Sequence, residues 1–87
     1  MIFGNKRCEI EIICQILSLA KEPRKKTHLM YKTNMSYTLF MKYFHFLLKK
    51  NLIRKHISNP EKGVYYCLTK KGEKLLESFN NVLDQLK

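Results

Sequence analysis

The sequence predicts a mainly helical α+β fold in which three helices, a β-hairpin and a fourth helix follow one another in a single domain. Three observations predict it. Apolar residues recur at i, i+3, i+4, i+7 spacing early in the chain and again at its end. Residues able to cap helices, Thr27, Ser36 and Thr69, stand just ahead of later helical stretches. Between two runs rich in β-branched and aromatic side chains, Ser58-Asn-Pro-Glu-Lys-Gly63 gathers the residues of a reverse turn.

The first helix is expected from about Lys6 to Lys21. Ile10, Ile13, Cys14, Leu17 and Ala20 form one stripe, and Ile12, Ile16 and Leu19 form a second on nearly the opposite side. A helix apolar almost all round must be covered on both sides. A body of 87 residues is small for that, so Ile12 and Ile16 are expected against a second copy of the chain. Lys21-Glu-Pro-Arg-Lys-Lys26 reads as a loop, with Pro23 marking the break.

Thr27 is placed to cap a short second helix with Leu29, Met30 and Tyr31 on its apolar face. Asn34 stands where the chain must reverse, and Asn tolerates the left-handed conformation such a turn needs. Ser36 then caps the third helix, a contact worth about 1 kcal/mol. Over Tyr37 to Lys50 the inward set is Phe40, Tyr43, Phe44, Leu47 and Leu48, while Thr38, Met41, Lys42, His45 and Lys49 fall on the other side. Asn51 ends this helix.

Ile53 to Ile57 and Val64 to Leu68 are the strands of the hairpin. Thr69 caps a last helix from Lys70 to about Leu86, in which Leu75, Phe79, Val82 and Leu86 step by 4, 3 and 4 with Leu76 and Leu83 beside them. That is a short coiled-coil seam with a widened flank. Roughly 19 residues span about 28 Å, longer than a small body needs. Leu75, Phe79, Val82, Leu83 and Leu86 are therefore expected to join two copies; packing on the helix's own domain is the competing reading. A helix-turn-helix followed by a hairpin is a winged helix: one domain over 1–87, with a DNA-binding body at 6–68 and a dimerisation helix at 69–87.

The net charge is +10, and its placement says more than its size. Residues 21–71 carry 13 Lys and Arg against Glu22 and Glu61, a net of +11, whereas residues 1–20 sum to zero and 72–87 to −1. Excess confined to the segment holding the helix-turn-helix points to a polyanion as partner. The second helix of such a motif enters the major groove with its outer N-terminal residues toward base edges, which nominates Tyr37, Thr38, Met41, Lys42 and His45. That face has no Arg, Asn or Gln, so the strongest base-reading pairs are missing and weak sequence preference is expected. Arg24, Lys25, Lys26, Lys32, Lys49, Arg54, Lys55 and Lys62 are the expected phosphate and wing contacts. Lys70 and Lys71 open a helix, where the dipole disfavours cations, and are left out.

Other chemistry finds few residues. Cys8, Cys14 and Cys67 match neither a disulfide framework nor a zinc pattern and read as small core residues. His28, His45 and His56 are isolated, so no metal is expected. With one Asp in the chain and no phosphate loop or nucleophile motif, an enzyme is not expected. No cofactor, small-molecule ligand or membrane contact is expected either, and the expected location is the cytoplasm, on the nucleoid.

Lys26-Thr-His-Leu-Met-Tyr31-Lys-Thr-Asn34-Met-Ser36-Tyr37, then Tyr43, Leu47 and Leu52-Ile53, then Tyr66-Cys-Leu-Thr69-Lys-Lys-Gly72-Glu-Lys-Leu75-Leu76-Glu77, closely resembles a family of small archaeal winged-helix DNA-binding proteins. The match runs from about Glu9 to Glu77. The family includes dimeric chromatin-associated proteins and transcription regulators. The resemblance implies double-stranded DNA as partner and a homodimer joined by an antiparallel coiled coil of the last helices, with the third helix and wing facing DNA. The last helix here is shorter than that of the chromatin proteins, and the wing, Asn59-Pro-Glu-Lys-Gly63, is longer than their tight turn. A winged-helix module that recruits other proteins is the alternative.

Overall fold

The structure is a computed structural model, and it describes residues 9–56 and 63–86. In chain order the elements are α1 (Glu9–Leu19), β1 (Arg24–Lys25), α2 (Lys26–Thr33), α3 (Tyr37–Lys49), β2 (Ile53–His56), β3 (Tyr65–Leu68) and α4 (Lys70–Gln85). The three strands form one antiparallel sheet in the order β1-β3-β2. Helices and hairpin thus follow the expected order. The expected loop after α1 differs: its Arg24–Lys25 pair joins the sheet, in register with Tyr66 and Tyr65. Two residues are too few to show a strand period, so propensity cannot announce them.

The helix ends carry the local chemistry that makes them ends. The Ser36 hydroxyl accepts the Leu39 N–H at 3.3 Å, and the Thr69 hydroxyl accepts the Gly72 N–H at 3.0 Å. Thr27 does not cap α2; the helix begins one residue earlier at Lys26, after Lys25 in extended conformation, and has no side-chain cap. Asn34 takes the left-handed conformation at φ 53° and closes α2. Asn51 does the same for α3 at φ 59°. There the N–H groups of Asn51 and Leu52 bond the carbonyls of Leu48 (3.1 Å) and Leu47 (2.9 Å), which is the Schellman ending with Asn in the usual place of Gly.

The core is one cluster. Phe40, Tyr43, Phe44 and Leu47 enter it from α3, as their spacing predicts. Phe40 and Phe44 stack at 5.4 Å, and Phe44 meets Tyr66 of β3 with the two rings nearly perpendicular, their centres 4.8 Å apart. Helix α1 overturns one expectation. Ile12 is 6% exposed and Ile16 0% within the single chain, so neither is left for a second copy. The chain covers them itself: α2 and α4 both pack on α1, and the Leu68 N–H of β3 bonds the carbonyl of Ala20 at 2.9 Å. Tyr31 is a second correction, since it projects from α2 at 79% exposure. Cys14 and Cys67 are buried, as expected; Cys8 lies outside the described residues.

Candidate nucleic-acid interface

The outward face of α3 is set by the same periodicity that sets its inward one. With Phe40, Phe44 and Leu47 at zero to 2% exposure, the residues about half a turn away must face solvent. Thr38, Lys42, His45 and Lys49 do so on one strip, and Tyr37 is exposed at the helix start. Met41 departs from the expected face: it is half-buried against the core cluster, because it lies at about 100° from Phe40 rather than opposite it. Of the expected face, Tyr37, Thr38, Lys42 and His45 are therefore the residues left exposed, with Lys49 one turn further on.

The sheet supplies a second group. Antiparallel register places Lys25, Tyr65 and His56 side by side across β1, β3 and β2, and the next rung holds Arg24, Tyr66 and Lys55. Opposed residues share a face, so Lys25, Tyr65 and His56 share one, with Arg54 two positions along β2 on the same side. The Lys25 ammonium lies 5.8 Å from the centre of the Tyr65 ring. Lys25 and Lys26, together with Gly63, Val64 and Tyr66, line an open hollow at the base of the wing. Cations some thirty residues apart in sequence are thus carried on one small sheet because β1 exists. Sequence reasoning placed His56 with the basic residues of the hairpin but missed this grouping, and with it Tyr65. Lys32 is exposed on α2; Lys62 lies outside the described residues.

Two cations are already occupied. Arg24 was expected to clamp phosphate, but its Nε–H bonds the Leu19 carbonyl at 2.7 Å and its Nη1 lies 3.0 Å from Nε2 of His28. Its guanidinium holds the end of α1 against the start of α2, so it is corrected to a structural residue. Lys71, left out on dipole grounds, donates to the Lys50 carbonyl at 2.9 Å.

The expected dimer residues of α4 divide. Leu75 and Phe79 are half-buried against the chain's own core, which favours the competing reading for the first half of the seam. Leu83 is half-buried, whereas Val82 is 55% and Leu86 52% exposed. Among the described residues no helix is long and apolar enough to cross a membrane, and no group of three His, Cys, Asp or Glu is placed to hold a metal.

A family model described as winged helix-turn-helix matches residues 6–87. An uncharacterized protein of Methanocaldococcus jannaschii is 42% identical over 78 residues, which is 88% of this chain and 34% of that protein. A second from the same organism is 36% identical over 80 residues, 91% of this chain and 76% of its own length. The chain spans about a third of the first relative and three quarters of the second. Among solved structures, the transcriptional regulator BldR from Sulfolobus solfataricus superposes with TM-score 0.74 at 26% identity, covering 86% of this chain and 55% of that one. Sso10a-2, a DNA-binding protein from the same organism, gives TM-score 0.70 at 24% identity over 92% of this chain and 85% of its own, a likeness of fold. The chain belongs to the winged helix-turn-helix family.

Proposed function

We propose that the chain binds double-stranded DNA as a homodimer and serves as a transcriptional regulator or architectural protein, without catalytic activity. The observation that carries this reading is the exposed strip Thr38, Lys42, His45 and Lys49 on a helix whose opposite side is locked into the core. Thr38 and Lys42 face base edges at the N-terminal end of α3 and Lys49 meets the backbone further along. Lys25, Lys26, Lys32, Arg54 and Lys55 hold phosphates to either side. A strip with two Lys and no Arg, Asn or Gln discriminates bases poorly, so DNA shape carries most of the preference. Val82 and Leu86 supply the apolar contact between copies. The regulatory role is supported by the likeness to BldR.

The test is a titration of duplex DNA, followed by fluorescence anisotropy, across a range of salt concentrations. Each phosphate neutralised contributes about −0.9 to the slope of log K against log salt. A steep negative slope is expected, with binding abolished by Lys42→Glu. Absence of binding at low salt, or a flat slope, refutes the reading.

A further inference from the structure

Tyr31 has no part in the duplex contacts above, yet at 79% it is the most exposed large apolar or aromatic side chain among the described residues. A lone exposed ring says little; its surroundings say more. With Met30, Lys32, Asn34 and Met35 it lines an open hollow of about 450 Å³ at the turn between α2 and α3. Met30 and Met35 are half-buried against the core cluster and give the hollow apolar lining, while Lys32 and Asn34 are exposed. The backbone carrying the ring is held firmly. The Tyr31 carbonyl accepts the Asn34 N–H at 3.2 Å, and the Thr33 hydroxyl reaches the carbonyls of Leu29 and Met30 at 2.9 Å each. From α1, the Gln15 side-chain amide donates to the Lys32 carbonyl at 3.2 Å.

The stacked pairs of a duplex offer base edges and phosphates, not base faces. An unpaired base shows its face, and any base face stacks on an aromatic ring. The hollow matches such a base part by part. The Tyr31 ring takes the face, and the methionines take the remaining apolar surface. The Asn34 amide supplies both a donor and an acceptor for the base edge, and the Lys32 ammonium meets the adjoining phosphate. Bare phosphate would leave the ring and methionines wet, and a neutral peptide would leave the lysine without a counter-charge. We infer that this hollow binds an unpaired base of single-stranded DNA, with little regard to which base it is. This binding stands apart from the duplex contact of α3 and does not require it.

The probe is a short oligothymidylate, compared at one salt concentration with an abasic strand of the same length, which keeps the phosphates and lacks the bases. Binding is followed by anisotropy of a dye on the strand and by tyrosine emission, readable because the chain has no Trp. The abasic strand is expected to bind about 5- to 150-fold more weakly, the worth of one base–aromatic stack. Tyr31→Ala is expected to weaken oligothymidylate by a similar factor and to remove most of the emission change. Tyr31→Phe is expected to keep the affinity, and both variants to keep the melting temperature and the duplex Kd. Equal binding of the two strands, an oligothymidylate Kd indifferent to Tyr31→Ala, or a duplex Kd weakened as much as the single-strand one overturns the inference. A chain that takes oligothymidylate through Tyr31 but no duplex refutes the duplex reading instead. One that takes duplex but holds oligothymidylate no better than the abasic strand refutes the base site alone.

Discussion

Gly72 lies in the first turn of α4, and replacing it with alanine sets two effects against each other. Helix propensity alone favours alanine by about 0.5–1 kcal/mol. The space does not: a Cβ built at Gly72 falls 2.0 Å from the Leu52 carbonyl oxygen and 3.0 Å from both the Leu52 carbonyl carbon and Cδ2 of Leu68. The obstacle is backbone, so relief requires α4 to move off the Asn51–Leu52 turn. That movement loosens the Thr69 N–H bond to the Leu52 carbonyl (3.2 Å) and the Thr69 hydroxyl bond to the Asn51 carbonyl. Overpacking costs about 1–3 kcal/mol, and two weakened hydrogen bonds add about 0.5–1.5 kcal/mol each. Net of propensity, Gly72→Ala is expected to destabilise by about 3 kcal/mol. In a domain of this size each kcal/mol lowers the melting temperature by about 4–8 °C, so a fall of about 12–24 °C is expected by circular dichroism. Parent and variant are compared at one protein concentration, since self-association makes melting concentration-dependent. An unchanged or raised melting temperature refutes the close-approach account and leaves propensity in charge.

Arg24→Ala is expected to cost about 1.5–3 kcal/mol of stability, the value of a hydrogen bond from a charged donor, read by urea unfolding, without changing the salt slope of DNA binding; Lys26→Ala is expected to do the reverse, lowering that slope by about 0.9. Asn51→Gly is expected to leave stability unchanged or slightly raised, while Asn51→Val costs about 1–2 kcal/mol for its left-handed backbone, measured by the same unfolding. The double variant Val82→Asp/Leu86→Asp is expected to sediment as the 10.4 kDa chain while the parent sediments at twice that mass; a monomeric parent refutes dimerisation.

Much of the fold is legible in the sequence where a local rule suffices. Ser36, Thr69, Asn34 and Asn51 each fix a helix end by their own side-chain or backbone chemistry, and the α3 core set follows from a 3.6-residue period acting on large apolar residues. The failures share a cause: each depends on a contact distant in sequence. Nothing local distinguishes Ile12 facing a partner from Ile12 buried within its own chain. Nothing in Arg24–Lys25 announces a strand, because its partner, Tyr65–Tyr66, lies forty residues on. Periodicity places Val82 and Phe79 on one seam, but it cannot say where the body ends and the free part of the helix begins.

Cations are the hardest to assign, because charge is legible and its acceptor is not. Arg24 and Lys71 look no different in sequence from Lys25 and Lys26. In the fold, each of the first two reaches the carbonyl end of a helix: Arg24 bonds Leu19, the last residue of α1, and Lys71 bonds Lys50, just beyond α3. Such carbonyls lack helical partners and carry the negative end of the helix dipole. A cation that satisfies one is held in place and is a poor counter-ion for DNA. Lys25, Lys26, Lys42 and Lys49 have no comparable acceptor among the hydrogen bonds of the described residues. The basic excess of residues 21–71 therefore contains two populations, one that fastens helix ends and one that stays available to phosphate. The contrast between Arg24→Ala and Lys26→Ala separates them, since only the first population should register in stability and only the second in salt dependence.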